Sequence, residues 1–291
     1  MLRIENISYR AGRKKIIDGL SCTILPGELT VLLGANGAGK STLLRLLAGE
    51  RPPHAGDIWW DRRSLPAIPA AELARMRAVL TQHTVVSLPF TVEEIVMMGR
   101  YPHYRHHPSV EDRGIVAACL EEMQAGHLKE RLFYTLSGGE QQRVQMARVL
   151  AQLSGVKDGM LLLDEPTSSL DWLHQQLCLQ KARALANAGY MAVIVLHDLN
   201  LAAQFADTIL LMKGGRLLAA GEKEQVLKPD LIRQAYGIET TVIYPAECIF
   251  PVIIPGTSKN KKYEGPMDSL PGCPTAGADQ GCRPKDGDYR S

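Results

Sequence analysis

Residues 34–41 read GANGAGKS, which matches the spacing G-x-x-x-x-G-K-[ST] at every defined position. This segment, called the phosphate loop below, follows the short apolar stretch ELTVLLG and precedes a helical pattern from Lys40 to Ala48. Glycines allow the backbone to surround a phosphate with inward-pointing N–H groups, and the N-terminus of the next helix adds a positive dipole. In such a loop Lys40 reaches the terminal phosphates of a nucleotide and the Ser41 hydroxyl binds Mg²⁺.

Three more polar side chains follow apolar stretches that predict buried strands. Asp164 and Glu165 come after MLLL, and His197 comes after MAVIVL. Because ligands bind at the carboxyl ends of parallel strands, we expect all three beside the phosphate loop. Asp164 then supplies a second oxygen ligand for Mg²⁺. Glu165 either activates the water that attacks the γ-phosphate or is a further group around the magnesium ion. His197 can hydrogen-bond the γ-phosphate and the water, with an ordinary surface histidine as the alternative.

A parallel sheet is needed to position these residues. Buried strands that alternate with helices predict an α/β fold in which helices cover both faces of the sheet. Residues 2–8 alternate between apolar and polar side chains, which predicts an edge strand, and Gly12 marks a hairpin turn. Helical patterns dominate from Ala70 to Ala151, with capping boxes at Thr91-x-x-Glu94 and Ser109-x-x-Asp112.

The composition excludes several classes of protein. The 291 residues include 33 Lys and Arg against 31 Asp and Glu, and the net charge of +2 gives no electrostatic footprint for nucleic acid. The six cysteines are scattered and contain no C-x-x-C pair, which predicts reduced thiols in a cytosolic protein. The most apolar stretch, Met191 to Met212, is interrupted by charged residues, so no membrane span is predicted.

The last part of the chain differs from the rest. Residues 259–291 contain nine Gly or Pro and only Leu270 from the Leu, Ile, Val and Phe set. Such a segment buries too little apolar surface to offset its ordering entropy, which predicts a disordered tail after a short extension at 251–258. Cys273 and Cys282 lie in this tail without a histidine or a third cysteine that would indicate a metal site.

Residues 136–143 read LSGGEQQR, and this motif resembles the signature of the nucleotide-binding subunits of ABC transporters. The resemblance covers about residues 1–250. It implies a P-loop NTPase fold, with a RecA-like core, an antiparallel β subdomain and a helical signature subdomain inserted at about residues 84–158. Ser137 and Glu140 are spaced as a capping box, so the helix that they begin offers a second anion site at its N-terminus.

The resemblance also implies roles for residues that spacing alone does not single out. Tyr9 corresponds to an aromatic that stacks on adenine, Gln82 to a glutamine that links the catalytic site to the membrane subunit, and Asp171 to a loop that crosses the dimer interface. Ser169 departs from the family, in which alanine is commoner. The implied catalytic residues are Glu165, His197 and Gln82, the magnesium ligands are Ser41, Gln82 and Asp164, and the nucleotide-binding set is Tyr9, Gly34, Ala35, Asn36, Gly37, Ala38, Gly39, Lys40, Ser41, Thr42, Ser137, Gly138, Gly139, Glu140 and Asp171.

One chain does not need two anion sites for one phosphate tail. In the family, ATP lies between the phosphate loop of one chain and the signature of a second chain, and two such contacts close a twofold dimer. The resemblance therefore implies ATP and Mg²⁺ as cofactors and a homodimer bound to transmembrane permease subunits. It further implies an indirect periplasmic or surface substrate-binding protein, a position on the cytoplasmic face of the inner membrane, and no nucleic-acid partner.

Transport is favoured over the other roles of ABC ATPases. The chain has neither the long coiled-coil insertion of the DNA-repair and chromosome types nor the second motif set of the translation types, and no fused membrane domain, which favours an importer. The stretch VVSLPFTVEEIVMMGRYPHY resembles the iron-chelate, cobalamin and heme importer branch. EQQRVQMARVLAQL and LDWLHQQ are most similar to hemin-import ATPases. We therefore expect heme import, with a ferric siderophore or vitamin B12 as the alternative substrate and a soluble non-transport ATPase as a distant alternative.

A polar segment before the second capping box contains His103, His106 and His107. We expect a solvated loop that faces the permease rather than a metal or heme site. Arg100 and Arg105 in the same segment are expected either to pair with permease carboxylates or to be solvated.

Overall fold

Strands and helices alternate over most of the chain. The computed structural model describes residues 1–81 and 88–256, so Gln82, the predicted tail and its two cysteines lie outside the described residues. The described strands are β1 (Leu2–Ala11), β2 (Lys14–Ile24), β3 (Leu29–Leu33), β4 (Ala55–Trp60), β5 (Arg63–Ser64), β6 (Arg77–Leu80), β7 (Met160–Asp164), β8 (Met191–Val195), β9 (Thr208–Lys213), β10 (Arg216–Gly221), β11 (Thr240–Ile243) and β12 (Val252–Pro255). The described α-helices are α1 (Lys40–Leu47), α2 (Ala70–Met76), α3 (Val92–Met97), α4 (Val110–Glu122), α5 (Gly138–Leu153), α6 (Trp172–Asn187), α7 (Leu199–Phe205), α8 (Lys223–Val226) and α9 (Pro229–Tyr236).

The central sheet has six strands in the order β10-β9-β3-β8-β7-β6. All neighbouring pairs are parallel except β10 and β9, so β10 is an antiparallel edge strand. Every residue of β3, β7 and β8 is buried. A parallel sheet covered on both faces accounts for these unbroken apolar strands, as the sequence predicts.

A second, antiparallel sheet has the order β2-β1-β4-β5. The expectation of an edge strand at residues 2–8 is wrong, because β1 pairs with β2 on one side and with β4 on the other. Alternating apolar side chains indicate that one face of a strand is buried. They do not indicate how many strands pair with it.

Two apolar cores flank the central sheet. Leu32 of β3 and Leu162 of β7 face one core, which also contains Leu43 of α1 and residues of β1 and β2. Val31 and Leu163 face the opposite core, which contains residues of α3 to α7. Side chains of a strand alternate between the two faces of a sheet, so each central strand contributes to both cores. As a result α1 is held between the two sheets.

The helical region between β6 and β7 starts from well-defined caps. Thr91, Ser109 and Ser137 each accept a hydrogen bond from the backbone N–H three residues later and form complete capping boxes, as their spacing predicts. The expectation that helical patterns dominate from Ala70 to Ala151 did not include β6, which pairs with β7 at the edge of the central sheet. A four-residue strand leaves little periodicity to detect, and its pairing partner is far away in sequence.

Neither expectation for Arg100 is correct. Its side chain is 8% exposed, and its Nε donates to Asp112 at 2.9 Å. One guanidinium nitrogen also donates to the carbonyls of Ala151 and Ser154. A salt bridge of this kind replaces the hydration that both ions lose on burial. Arg100 therefore holds α4 to the end of α5 and is not available to a partner.

Within the described residues no helix is long and apolar enough to cross a bilayer. Cys22, Cys119, Cys178 and Cys248 form no disulfide in the described part of the chain. Burial raises the pKa of Cys119 and Cys178 to about 12, so these two thiols stay protonated.

Replacing Asp112 by Asn is expected to destabilise the fold. Burial alone would raise the pKa of Asp112, but hydrogen bonds from Ser109 and the Arg100 guanidinium lower it from 3.8 to about 2. The Asp112 carboxylate thus makes its full contribution to the free energy of unfolding above about pH 4, and this contribution is lost as the pH falls towards 2. Urea unfolding at pH 7 should give a free energy of unfolding about 2–3 kcal/mol lower for Asp112→Asn, and the gap should narrow below pH 4.

Glu72→Gln is the matched control. Glu72 pairs with Arg63, but both side chains are at least 42% exposed. Exposed ion pairs contribute up to about 1 kcal/mol, so this variant should be close to the wild type. Equal losses for the two variants would contradict a special role for the buried pair.

Candidate functional site

The phosphate loop and the polar residues that follow β7 and β8 meet where three neighbouring strands end. Val195 of β8 pairs with Leu32 of β3 on one side and with Asp164 of β7 on the other. The chain continues from this row into the phosphate loop, into His197 and into Glu165. Parallel pairing therefore brings Gly34, Glu165 and His197 to one edge of the sheet, which is where α/β sheets bind ligands.

The phosphate loop begins directly after β3, and its last residues begin α1. Gly39 precedes the helix with a φ of 103°, in the left-handed region. A Cβ atom there would lie 2.9 Å from the Ile16 carbonyl oxygen, so both the conformation and the space require glycine. The loop lines an open cleft of about 270 Å³ together with Lys14, Ile16, Thr42 and Glu165.

The side chain of Lys40, near the end of the phosphate loop, points back into the loop. Its Nζ donates to the carbonyl oxygens of Gly34 at 2.7 Å and of Ala35 at 3.2 Å. Burial lowers the pKa of Lys40, while the negative charges of Glu165 and Asp164 act in the opposite direction. The ammonium is thus poorly hydrated and is placed to bind an anion inside the loop.

Ser41, which lines the cleft, and the buried Asp164 behind it form a pair of oxygen donors. The Ser41 hydroxyl donates to Asp164 Oδ1 at 3.0 Å. Asp164 is 4% exposed, and burial raises its pKa despite the hydrogen bond from Ser41. A cation beside this carboxylate would offset the cost of burying its charge. Hydroxyl and carboxylate oxygens suit Mg²⁺, so the donor set fits the ion predicted from the sequence.

Glu165 and His197 touch each other at the mouth of the cleft. His197 Nε2 lies 2.5 Å from Glu165 Oε1. Glu165 has a φ of 52°, which is rare for a residue other than glycine and is most common at functional sites. Its backbone N–H donates to the Val195 carbonyl at 3.2 Å, so sheet pairing maintains this conformation. The contact places a proton acceptor and an imidazole together beside the phosphate loop.

A second cleft lies at the N-terminus of α5. It measures about 350 Å³, and none of its lining residues also lines the cleft of the phosphate loop. Ser137 caps the helix, and Glu140 accepts from the Ser137 N–H at 2.8 Å. An ideal Cβ on Gly139 would lie 3.0 Å from the Ser169 carbonyl oxygen, so the loop after β7 packs closely on this helix. Asp171 lines the same cleft and caps α6 through the His174 N–H.

Tyr9 lies next to the phosphate loop on the other sheet. Its hydroxyl accepts from Arg51 at 3.0 Å, and its ring is 4.9 Å from that of His54. Together with Arg51 it lines a cleft of about 120 Å³, to which Thr42 also contributes. Because Thr42 lines the phosphate cleft as well, the two clefts adjoin.

The predicted histidine loop does not converge on this site. His103 Nε2 contacts the Gln152 carbonyl at 2.8 Å, whereas His106 and His107 are exposed. Burial lowers the pKa of His103. Within residues 1–81 and 88–256, no cluster of three or more His, Cys, Asp or Glu side chains has the geometry of a metal site.

Three residues at the site were not singled out from the sequence. Gln142 donates to the Pro166 carbonyl at 3.1 Å and links α5 to the loop after Glu165. The Tyr236 hydroxyl accepts from the Gly34 N–H at 2.9 Å. Asn200 pairs with both backbone groups of Ile253 in β12. Gln142 lies in the motif LSGGEQQR, while the contacts of Tyr236 and Asn200 join distant parts of the chain.

Comparison with known proteins agrees with this arrangement. A family model described as ABC transporter matches residues 17–168. Proteins named hemin import ATP-binding protein HmuV are similar over most of the chain. The one from Pseudomonas fluorescens (strain Pf0-1) is 46% identical and the alignment covers 87% of this chain and 99% of that protein. The one from Bradyrhizobium diazoefficiens is 44% identical, with 88% and 94% covered.

Solved structures give the same result. A metal-chelate type ABC transporter in an inward-facing conformation aligns with a TM-score of 0.74 at 27% identity, covering 88% of this chain and 97% of that chain. A dimeric bacterial ABC transporter cassette aligns with a TM-score of 0.68 at 26% identity, covering 77% of this chain and 99% of that chain. The fold is thus the P-loop NTPase fold expected from the sequence. By sequence and by structure, the chain belongs to the ABC transporter family, as one of its ATP-binding subunits.

Proposed function

We propose that this chain is the ATP-hydrolysing subunit of an ABC importer and that it couples ATP binding and hydrolysis to the import of hemin. The observation that carries the ATPase proposal is the meeting of the phosphate loop, Asp164, Glu165 and His197 at one sheet edge. Hemin as substrate is supported by relatives named hemin import ATP-binding proteins at 44–46% identity. A ferric siderophore or vitamin B12 is the alternative substrate.

In the proposed mechanism, the loop N–H groups and Lys40 bind the β- and γ-phosphates of ATP. The phosphate oxygens take the place of the Gly34 and Ala35 carbonyls, which now accept from Lys40 Nζ. Ser41 and Asp164 would hold Mg²⁺, which when bound neutralises charge on the phosphate oxygens. Tyr9 stacks on the adenine in the adjoining cleft.

Glu165 accepts a proton from the attacking water or orients it, and His197 holds the Glu165 carboxylate and contacts the γ-phosphate. Their 2.5 Å contact supports this pairing. In the alternative role, the Glu165 carboxylate would be a further group around Mg²⁺. The two roles differ in whether removal of the negative charge weakens Mg²⁺ binding.

The second cleft supports a dimer. The sixteen-residue helix α5 is capped by Ser137, and its N-terminus offers N–H groups and a positive dipole to an anion. The cleft at this N-terminus nevertheless shares no lining residue with the cleft of the phosphate loop. In a head-to-tail pair of chains, each ATP would lie between the phosphate loop of one chain and residues 137–139 of its partner. ATP then stabilises the closed pair of chains, and hydrolysis of the ATP allows the two chains to separate. Permease subunits would bind this pair at the cytoplasmic face of the membrane and receive hemin from a substrate-binding protein.

Glu165→Gln is expected to retain ATP binding and lose hydrolysis. The amide keeps the size of the side chain but cannot accept the proton, so turnover should fall by about 10²-fold or more, and ATP-bound dimers should accumulate. Phosphate release and size-exclusion chromatography with ATP measure both effects. Glu111→Gln, an exposed carboxylate on α4, is the control and should behave as the wild type. Full turnover by Glu165→Gln would remove this residue from catalysis, and a higher Mg²⁺ requirement for ATP binding would favour the alternative role.

Lys40→Ala is expected to abolish tight nucleotide binding. A charge-assisted hydrogen bond is worth about 1.5–3 kcal/mol, so the Kd for ATP should rise by at least about tenfold. Isothermal titration calorimetry measures this change. Lys181→Ala, which removes a lysine that pairs with Glu122 on the helical side, should leave the Kd unchanged. An unaltered Kd for Lys40→Ala would contradict the assignment of the phosphate loop.

Hemin should stimulate the ATPase of the complete transporter. The chain is reconstituted in liposomes with its cognate permease and substrate-binding protein, and phosphate release is followed with hemin, a ferric siderophore or cobalamin in the lumen. We expect a severalfold increase with hemin alone, and no increase when the complex carries Glu165→Gln. Stimulation by cobalamin or by the siderophore, but not by hemin, would mean that this molecule and not hemin is the transported substrate.

A further inference from the structure

The start of the phosphate loop is in contact with a residue near the end of the described chain. Tyr236 is the last residue of α9, and its hydroxyl accepts from the Gly34 N–H at 2.9 Å. Gly237 ends α9 with a φ of 75°, a left-handed stop that favours glycine. The two partners are 202 positions apart in the sequence, so only the folded chain brings them together.

Gly34 has little freedom in its surroundings. It is buried, has a φ of 144°, and an ideal Cβ would lie 2.3 Å from the Met212 carbonyl oxygen of β9. A buried N–H group without a partner is costly, so removal of its acceptor favours a reorientation of the peptide. The Tyr236 hydroxyl is thus the acceptor that satisfies this buried N–H group.

The same glycine is also a partner of Lys40. Its carbonyl oxygen accepts from Lys40 Nζ at 2.7 Å. Gly34 therefore contacts both Tyr236 and Lys40, through two different peptide groups. Burial raises the pKa of Tyr236, with the Gly34 N–H acting in the opposite direction, so the phenol stays neutral at physiological pH.

We propose that Tyr236 is a positioning residue of the nucleotide site, whose hydroxyl holds the Gly34 N–H group and with it the start of the phosphate loop in the geometry that binds phosphate. Tyr236 acts through Gly34. This inference rests on the proposed ATPase function and assigns to α9 a part in the affinity for nucleotide.

Tyr236→Phe removes the hydroxyl and keeps the buried ring. A misoriented loop weakens binding of the phosphates in the ground state and in the transition state alike, so the KM for ATP should rise while kcat is retained. We expect the KM for ATP and the Kd for MgADP to rise about five- to tenfold, with kcat within about twofold of the wild type. Steady-state phosphate release and calorimetry on the full chain provide the three values.

Tyr190→Phe is the matched control. The Tyr190 hydroxyl donates to the carbonyls of Leu153 and Val156, at the other end of the central strands. This variant also loses a hydroxyl hydrogen bond, so its Tm should fall, but its Kd for MgADP should match the wild type. A Kd for Tyr236→Phe within twofold of the wild type, with a similar fall in Tm, would reduce Tyr236 to a structural role. Absence of MgADP binding by the wild type would instead contradict the proposed function itself.

Hydrogen exchange of the Gly34 amide tests the same contact. The measurement on the wild type does not depend on the folding of a variant. We expect slow exchange in the wild type, because the N–H group is both buried and bonded, and at least tenfold faster exchange in Tyr236→Phe. Fast exchange of Gly34 in the wild type would overturn the proposal.

Discussion

The parallel pairing of β3, β8 and β7 is the constraint on which the site depends. The row Leu32, Val195 and Asp164 brings three strand ends together, although the first and last of these residues are far apart in sequence. A shift of one residue in either pairing would turn each strand over and direct its polar end residue to the other face. The apolar side chains on both faces prevent such a shift, since it would move residues between two differently packed cores.

Burial then sets the electrostatics of the cleft. Lys40 and Asp164 are both largely removed from water, and burial shifts their pKa values in opposite directions, each towards the neutral form. In the proposed function, a nucleotide phosphate beside Lys40 and a magnesium ion beside Asp164 would add a counter-charge to each of these two groups. The cost of burying these two charges is therefore offset when ligand binds, which ties the stability of the loop to its function. Glu165, held in a left-handed conformation by its bond to Val195, belongs to the same arrangement.

Patterns confined to a few residues were predicted correctly. The capping boxes at Thr91, Ser109 and Ser137 and the buried strands β3, β7 and β8 each depend on neighbours in sequence. Errors arose where the deciding neighbour is distant. The alternation in β1 could not reveal its second partner, the short β6 was hidden between helices, and Arg100 looked like a loop residue because its carbonyl partners on α5 lie more than 50 positions away.

The amino-acid sequence by itself indicated the type of chemistry, because the phosphate loop, the carboxylates Asp164 and Glu165 after their strand, and the capped N-terminus of α5 are each made from residues close together in the chain. It also determined the family, since these motifs occur in a set order. Only the tertiary structure decided which of them meet. The contact of Glu165 with His197, the separation of the two anion clefts and the hydrogen bond from Gly34 to Tyr236 all follow from strand order and packing. Such contacts join residues 32 to 202 positions apart, and no local pattern encodes a partner at that distance.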